Sequence, residues 1–117
     1  EIQPEFSDQI ISAKTSSQVT AMMVSVVENG YGKAARIPGY YIGGKTGTAQ
    51  VAEGGKYSSD KTIQSFIGFG PAFSPKFIIL VKLDNPKAKA AEYSAAPVFY
   101  DLAKYIINYW QLAPDYQ

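Results

Sequence analysis

Three consecutive strand-like segments are joined by connections too short to hold a helix. The predicted strands are about Tyr41 to Val51, Thr62 to Gly70 and Phe77 to Asp84. Residues 52–61 are polar and turn at Gly54-Gly55, and residues 71–76 contain two prolines. Parallel neighbours require a crossover of about a dozen residues or more. The sequence therefore predicts an antiparallel meander.

Amphipathic segments flank this predicted sheet. Capping side chains at Thr15-Ser16-Ser17-Gln18 predict the start of a helix that ends at Asn29-Gly30. Its apolar stripe is Val19, Met22, Met23, Val26 and Val27. A second helix is predicted from Ser94, with Pro97 in its first turn. The stripe of that helix is Phe99, Leu102, Ala103, Ile106 and Trp110. The predicted fold class is mixed α/β (α+β): helix, three-stranded antiparallel meander, helix.

The third predicted strand is apolar on both faces. Phe77-Ile78-Ile79-Leu80-Val81 has no polar position, whereas a strand with one solvated face alternates apolar and polar residues. We therefore predict that both faces of this strand are covered. Gly43, Gly44 and Gly47 fit an edge strand that faces a cleft.

Composition excludes several classes of protein. The chain has no histidine and no cysteine, which excludes Ser-His-Asp and Cys-His mechanisms and the usual zinc sites within it. The 11 basic and 10 acidic residues are mixed along the chain, so no nucleic-acid surface is indicated. The longest apolar run, residues 77–81, is too short to span a bilayer. We predict no metal site and no cofactor.

The segment Gly43-Gly44-Lys45-Thr46-Gly47-Thr48-Ala49-Gln50 is the richest in chemistry. Side chains alternate faces along an extended segment, so Thr46 and Thr48 point the same way. The glycines allow another backbone or a ligand to approach closely. An edge strand with hydroxyls, amides and a nearby ammonium is suited to hold a carboxylate and to polarise a carbonyl. The segment therefore indicates a site that handles an acyl group.

The same residues match a phosphate-binding loop. Gly39 to Thr46 satisfies G-x-x-x-x-G-K-[ST], a motif that requires a buried strand before it and a helix after the Lys-Thr pair. Residues 32–38 are not an apolar strand, and Gly47 is a poor start for a helix. The context therefore favours a strand, and nucleotide binding remains a minor alternative.

Lys45-Thr46-Gly47-Thr48-Ala49-Gln50 resembles the K-T-G signature of the penicillin-binding protein transpeptidases. Further similarities are the preceding helix, Gly39-Tyr40, Ser65-Phe66-Ile67-Gly68-Phe69 with Pro71, and Ala95-Ala96-Pro97-Val98-Phe99. The resemblance extends from about Ser12 to Ala113 and is strongest to the monofunctional cell-shape or cell-division type. It implies part of a serine transpeptidase/β-lactamase-like fold.

The family has two earlier signatures, S-x-x-K and S-x-N, which carry the nucleophile and its partners. S-x-N is absent from the sequence, and Ser58-Ser59-Asp60-Lys61 fits S-x-x-K only in a predicted hairpin loop. In the family the nucleophile begins a helix far upstream, where the lysine lies one turn away. The resemblance therefore implies that residues 1–117 are the C-terminal part of a transpeptidase domain. A second segment or chain is expected to supply the nucleophile and a strand beside Phe77 to Leu83.

The resemblance also implies roles for individual residues. Lys45 would set the electrostatics of the cleft and attract the carboxylate of a stem peptide or β-lactam. The hydroxyls of Thr46 and Thr48 would bind that carboxylate, and the Thr48 backbone N–H would form half of an oxyanion hole. Gly47 would let the substrate lie along the strand. Gly44 and Gln50 are expected to support the site.

The leading interpretation is a D,D-transpeptidase that cross-links peptidoglycan through a serine acyl-enzyme. A D,D-carboxypeptidase, a β-lactamase and a β-lactam sensor are alternatives with the same fold. A non-catalytic interaction module is an alternative of another class. The parent protein is expected to be membrane-anchored, on the extracytoplasmic face of the bacterial cytoplasmic membrane. The fragment alone is expected to be inactive.

Overall fold

An antiparallel sheet forms the centre of the molecule. The computed structural model describes residues 3, 5 and 7–117, without the side chain of residue 59. The strands are β1 (Gly43–Glu53), β2 (Lys56–Gly70) and β3 (Phe77–Asp84), in the order β1-β2-β3. Both neighbouring pairs are antiparallel. The predicted meander and fold class are therefore confirmed, and β1 is an edge strand among the described residues.

The first hairpin is longer than predicted. β1 begins at Gly43 rather than Tyr41, and most of residues 52–61 lie in paired strands rather than in a loop. Gly54 and Gly55 have φ angles of 58° and 79°, which is the backbone that a two-residue hairpin turn requires. The polar side chains of this part are mostly exposed. The polar composition of residues 52–61 predicts a loop, but the two strands continue to pair through their backbones beyond the part that packs against the core.

The first helix, α1, spans Ala13–Asn29. The predicted N-cap within residues 15–18 is wrong, because the Ser12 side chain caps the helix by accepting a hydrogen bond from the Thr15 backbone N–H at 3.1 Å. The buried positions are Val24 and Val27, whereas Met22 of the predicted stripe is 60% exposed. Only part of the predicted apolar face is covered by the described residues.

The second helix, α2, spans Ala95–Tyr109 and holds Pro97 in its first turn, as predicted. Proline is tolerated there because the first N–H groups of a helix have no partner within it. Phe99, Ala103 and Ile107 are buried. Leu102 and Trp110 of the predicted stripe are exposed. The buried face is therefore rotated toward Ile107.

The main core lies between α2 and one face of the sheet. Phe66 from β2 and Phe99 from α2 are fully buried, with ring centroids 4.9 Å apart. Gly68 makes room for this packing, since a Cβ atom there would lie 2.6 Å from the Phe99 ring. Val27 and Ile42 belong to the same cluster. Packing in the core therefore holds β2 against α2, and β1 lies next to β2 in the sheet.

The third strand has one uncovered apolar face. Phe77, Ile79 and Leu83 pack against the core, whereas Ile78 and Leu80 are 69% and 63% exposed. The described residues cover one face of β3, so the prediction that both faces are covered stays a prediction. Side chains alternate across a strand, so covering one face leaves the other in solvent. β3 is also an outer strand of the described sheet.

Candidate functional site

The Lys-Thr-Gly-Thr segment lies in the edge strand β1. Lys45 is exposed, and its Nζ atom donates hydrogen bonds to the Thr46 carbonyl oxygen at 2.7 Å and to Thr46 Oγ1 at 3.3 Å. Neighbouring side chains of a strand point to opposite faces, but the lysine side chain is long enough for its ammonium group to bend back and reach Thr46. The structure therefore brings an ammonium group and a threonine hydroxyl together at the edge of the sheet.

Thr46 and Thr48 share one face of β1, as predicted from strand periodicity. Thr46 pairs with Phe66, and Thr48 pairs with Gln64. Both threonines line a small cavity of about 150 Å³, which is completed by Tyr31, Ala90, Ala91 and Glu92. The segment that follows β3 forms one wall of this cavity. The Lys45 ammonium lies 3.3 Å from the hydroxyl oxygen of Thr46, one of the residues that line this cavity.

The glycines of β1 make room for neighbouring side chains. A Cβ atom at Gly43 would lie 2.5 Å from the Phe69 ring, and one at Gly44 would lie 2.5 Å from the Phe66 ring. Aromatic rings of β2 occupy the space on this side of both glycines, so the close approach at these two positions is made by side chains of β2. Gly44 instead supports the packing of β1. A Cβ at Gly47 would lie 2.7 Å from Ser65 Oγ.

Gln50 lies at the far end of the candidate segment. Its side chain is exposed, and it pairs with Thr62 just before the register shifts between Gln50 and Ala52. The structure therefore gives no physical account of a supporting role for Gln50.

The phosphate-loop alternative does not agree with the fold. The residues after Lys45 continue as the strand β1, which runs to Glu53. A phosphate loop needs a helix N-terminus at this point, because the amides of the loop and the first helical turn bind the phosphate. The backbone geometry therefore excludes the nucleotide-binding interpretation.

The S-x-x-K match at residues 58–61 lies in the strand β2 rather than in a loop. Ser58 Oγ donates to Asp60 Oδ1 at 2.8 Å, so it has a carboxylate partner. Lys61 Nζ lies 2.6 Å from Glu53 Oε1. The hydrogen bond with Glu53 and the negative charge of that residue raise the pKa of Lys61, which favours the protonated form. A lysine held as an ammonium is poorly suited to take a proton from Ser58.

Gln64, the buried polar residue that pairs with Thr48, is not among the site residues predicted from the sequence. Gln64 is fully buried in β2. It shares the inward face of β2 with Phe66 and Gly68. A polar residue at an inward strand position is therefore the sequence signal that points to Gln64. Its side chain bonds to the segment that forms the cavity wall.

The described residues, 3, 5 and 7–117, hold neither a metal-binding cluster nor a membrane-spanning helix. In this part of the chain no group of three or more His, Cys, Asp or Glu side chains is arranged to hold a metal ion. Neither helix of the same part is long and apolar enough to cross a membrane.

Comparison with known proteins places these features in context. Residues 2–104 match the family described as "Penicillin binding protein transpeptidase domain". The chain is 48% identical over 84 residues to Stage V sporulation protein D of Bacillus subtilis strain 168, covering 72% of this chain and 13% of that protein. It is 37% identical over 109 residues to the probable peptidoglycan D,D-transpeptidase PenA of Neisseria flavescens, covering 91% of this chain and 27% of that protein.

A solved structure has a similar fold. The crystal structure of penicillin-binding protein 3 from Mycobacterium tuberculosis, complexed with ampicillin, matches with a TM-score of 0.80 and 34% identity. The match covers 89% of this chain and 26% of that chain. The present chain therefore spans between 13% and 27% of the lengths of these proteins.

Proposed function

Because the chain belongs to the penicillin-binding protein transpeptidase family, we propose that residues 1–117 are the C-terminal part of a peptidoglycan D,D-transpeptidase domain. The nucleophilic serine and its base lie in a preceding segment or a separate chain. The observation that carries this proposal is the group of Lys45, Thr46 and Thr48 at the free edge of β1. It provides charge, hydroxyls and backbone donors but no activated nucleophile.

Lys45 and the two threonines form the carboxylate-binding part of the proposed site. The Lys45 ammonium attracts the terminal carboxylate of a D-Ala-D-Ala stem peptide, and a β-lactam presents an equivalent carboxylate. Hydrogen bonds between charged and neutral groups are shorter and stronger than neutral ones. The 3.3 Å distance between Lys45 Nζ and Thr46 Oγ1 lets one anion contact both groups.

The backbone N–H of Thr48 is the proposed oxyanion donor. In an antiparallel strand, backbone polar groups alternate between the two edges, so those of Thr46 and Thr48 point the same way. The exposed Lys45 ammonium reaches the Thr46 carbonyl oxygen, which supports placing both residues' polar groups at the free edge. A donor of this kind stabilises an acyl-transfer transition state by about 3–4 kcal/mol. The serine N–H supplies the other half.

The proposed reaction proceeds in two steps. The serine oxygen attacks the carbonyl carbon of the penultimate D-alanine, the C–N bond breaks, and the terminal D-alanine leaves with a proton. An amine of a neighbouring stem peptide then attacks the resulting ester and releases the serine. Gly47 leaves the strand edge without a side chain where the extended substrate lies beside β1.

The missing part of the domain has a place to pack in this structure. Ile78 and Leu80 present an exposed apolar face, and the outer edge of β3 is unpaired within the described sheet. An open apolar edge is an aggregation hazard that native proteins cover. We propose that the preceding segment or chain covers this edge, and that the fragment alone is inactive.

The cellular setting follows from the proposed reaction. Peptidoglycan is cross-linked outside the cytoplasmic membrane, so the parent protein acts on the extracytoplasmic face of that membrane, to which it is anchored. Its roles are cell-wall synthesis during cell-shape maintenance or cell division. Peptidoglycan stem peptides and β-lactams are the proposed ligands, and the reaction requires no cofactor.

The test uses the complete protein that contains this chain, incubated with a D-Ala-D-Ala stem-peptide analogue and an excess of a labelled D-amino acid. A transpeptidase releases D-alanine and forms a labelled peptide. Release of D-alanine without labelling would indicate a carboxypeptidase. Rapid hydrolysis of penicillin would indicate a β-lactamase, and a stable penicillin adduct without release would indicate a sensor. A folded protein that does none of these would be a non-catalytic interaction module.

A further inference from the structure

Gln64 is a buried polar side chain next to the proposed carboxylate site. It lies opposite Thr48 in the register of β1 and β2, on the same face of the sheet. The side chain is fully buried, so its amide must find hydrogen-bond partners within the protein. Those partners belong to β2 and to the segment between β3 and α2.

The Gln64 amide forms hydrogen bonds to that segment at two residues, Ala88 and Ser94. Its Nε2 atom donates to the Ala88 carbonyl oxygen at 2.6 Å and to Thr62 Oγ1 at 3.0 Å. Its Oε1 atom accepts a hydrogen bond from Ser94 Oγ. Ser94 stands at the N-cap position of α2, yet its side chain makes no capping bond to the helix. The serine hydroxyl instead donates to Gln64 Oε1, with a longer contact of 3.4 Å to the Ala90 carbonyl oxygen.

The segment held in this way contacts the Thr48 hydroxyl. The Ala91 backbone N–H, which lies between the two attachment points, donates to Thr48 Oγ1 at 3.4 Å. A hydroxyl group has one hydrogen and two lone pairs. Because the Ala91 N–H occupies a lone pair of this oxygen, the hydroxyl hydrogen stays available for another acceptor. Thr48 is then presented as a donor to an anion at the strand edge.

We propose that Gln64 is a positioning residue that orients the Thr48 hydroxyl through residues 88–94. This inference rests on the proposed function, because Thr48 is the group that binds the substrate carboxylate. Gln64 contacts no substrate itself. Its effect is therefore confined to ligands that carry the carboxylate.

The test compares benzylpenicillin with its methyl ester, which lacks the carboxylate charge, on the complete protein. Gln64→Met keeps the length of the side chain and removes its hydrogen bonds. We expect it to lower the acylation rate constant about tenfold for benzylpenicillin and less than about twofold for the ester. Thr48→Val is expected to show the same selectivity, and the double variant should lose no more than Thr48→Val alone. Equal losses for both ligands, or losses that multiply, would overturn the proposal.

A second measurement is independent of catalysis. Gln64→Met is expected to speed amide hydrogen exchange in residues 88–94, whereas Ile107→Val removes a buried methyl group of α2 and serves as the stability control. Unchanged exchange of residues 88–94 in the Gln64 variant would show that Gln64 does not hold this segment. An equal increase in both variants would show the same. If the wild-type protein is acylated by neither ligand, the proposed function fails, and the exchange result still decides whether Gln64 holds the segment.

Discussion

Replacing Lys45 with alanine in the complete protein is expected to lower the rate constant for acylation by benzylpenicillin by about 10²–10³-fold. The Lys45 ammonium lies 3.3 Å from Thr46 Oγ1 at the free edge of β1. Its removal deletes a fixed positive charge at the point where the substrate carboxylate binds and negative charge develops. Stopped-flow or gel-based measurement with labelled penicillin reports the loss directly.

Lys56→Ala is the matched control for this experiment. Lys56 is an exposed lysine of the same hairpin, at the start of β2, where it pairs with Glu53 at the opposite end of β1 from Thr46. The control is expected to retain acylation within about twofold, since long-range effects of an exposed charge are screened by salt. Comparable acylation by Lys45→Ala and wild-type protein would contradict the assigned role.

Phe99→Ala is expected to reduce the free energy of unfolding of the complete domain by about 3–5 kcal/mol. Phe99 is fully buried, its ring lies 4.9 Å from the ring of Phe66, and it fills the space above Gly68. Truncation removes apolar contacts and leaves a cavity between α2 and β2. Urea titration followed by circular dichroism measures the change.

Tyr105→Ala tests whether this loss is specific to the core. Tyr105 is an aromatic residue of the same helix and is 67% exposed. Its truncation is expected to cost less than about 1 kcal/mol, because exposed substitutions have small effects. A similar loss for both variants would show that the Phe66–Phe99 contact is not the centre of the core.

The sequence predicts the strands well where an apolar pattern marks residues that are buried in the core. β3 has the predicted limits, Phe77 and Asp84, because an apolar run between turn residues identifies a strand. The strand ends next to the Gly54-Gly55 turn are difficult to predict from sequence. Their polar residues pair only through the backbone and show no alternation of apolar and polar residues. Periodicity also cannot say which partner covers a face. For that reason the apolar pattern at Met22, Ile78 and Leu80 does not show that the described residues leave these side chains exposed.

The candidate site was predictable in part. Strand alternation correctly placed Thr46 and Thr48 on one face. The contact between Lys45 and Thr46 depends on side-chain conformation, and the glycine contacts with Phe66 and Phe69 depend on the strand register. Gln64 was missed because its partners, Ala88 and Ser94, are distant in sequence. Such contacts arise from the tertiary fold rather than from local pattern.

The most direct test locates the penicillin adduct in the complete protein by intact mass and peptide mapping. The account predicts one stable adduct on a serine outside residues 1–117, formed in wild-type protein and strongly reduced in Lys45→Ala. An adduct on Ser58, or on any other residue within 1–117, would contradict the conclusion that this chain supplies only the cleft opposite the nucleophile. The absence of any adduct in protein that circular dichroism shows to be folded would contradict the acyl-transfer function itself.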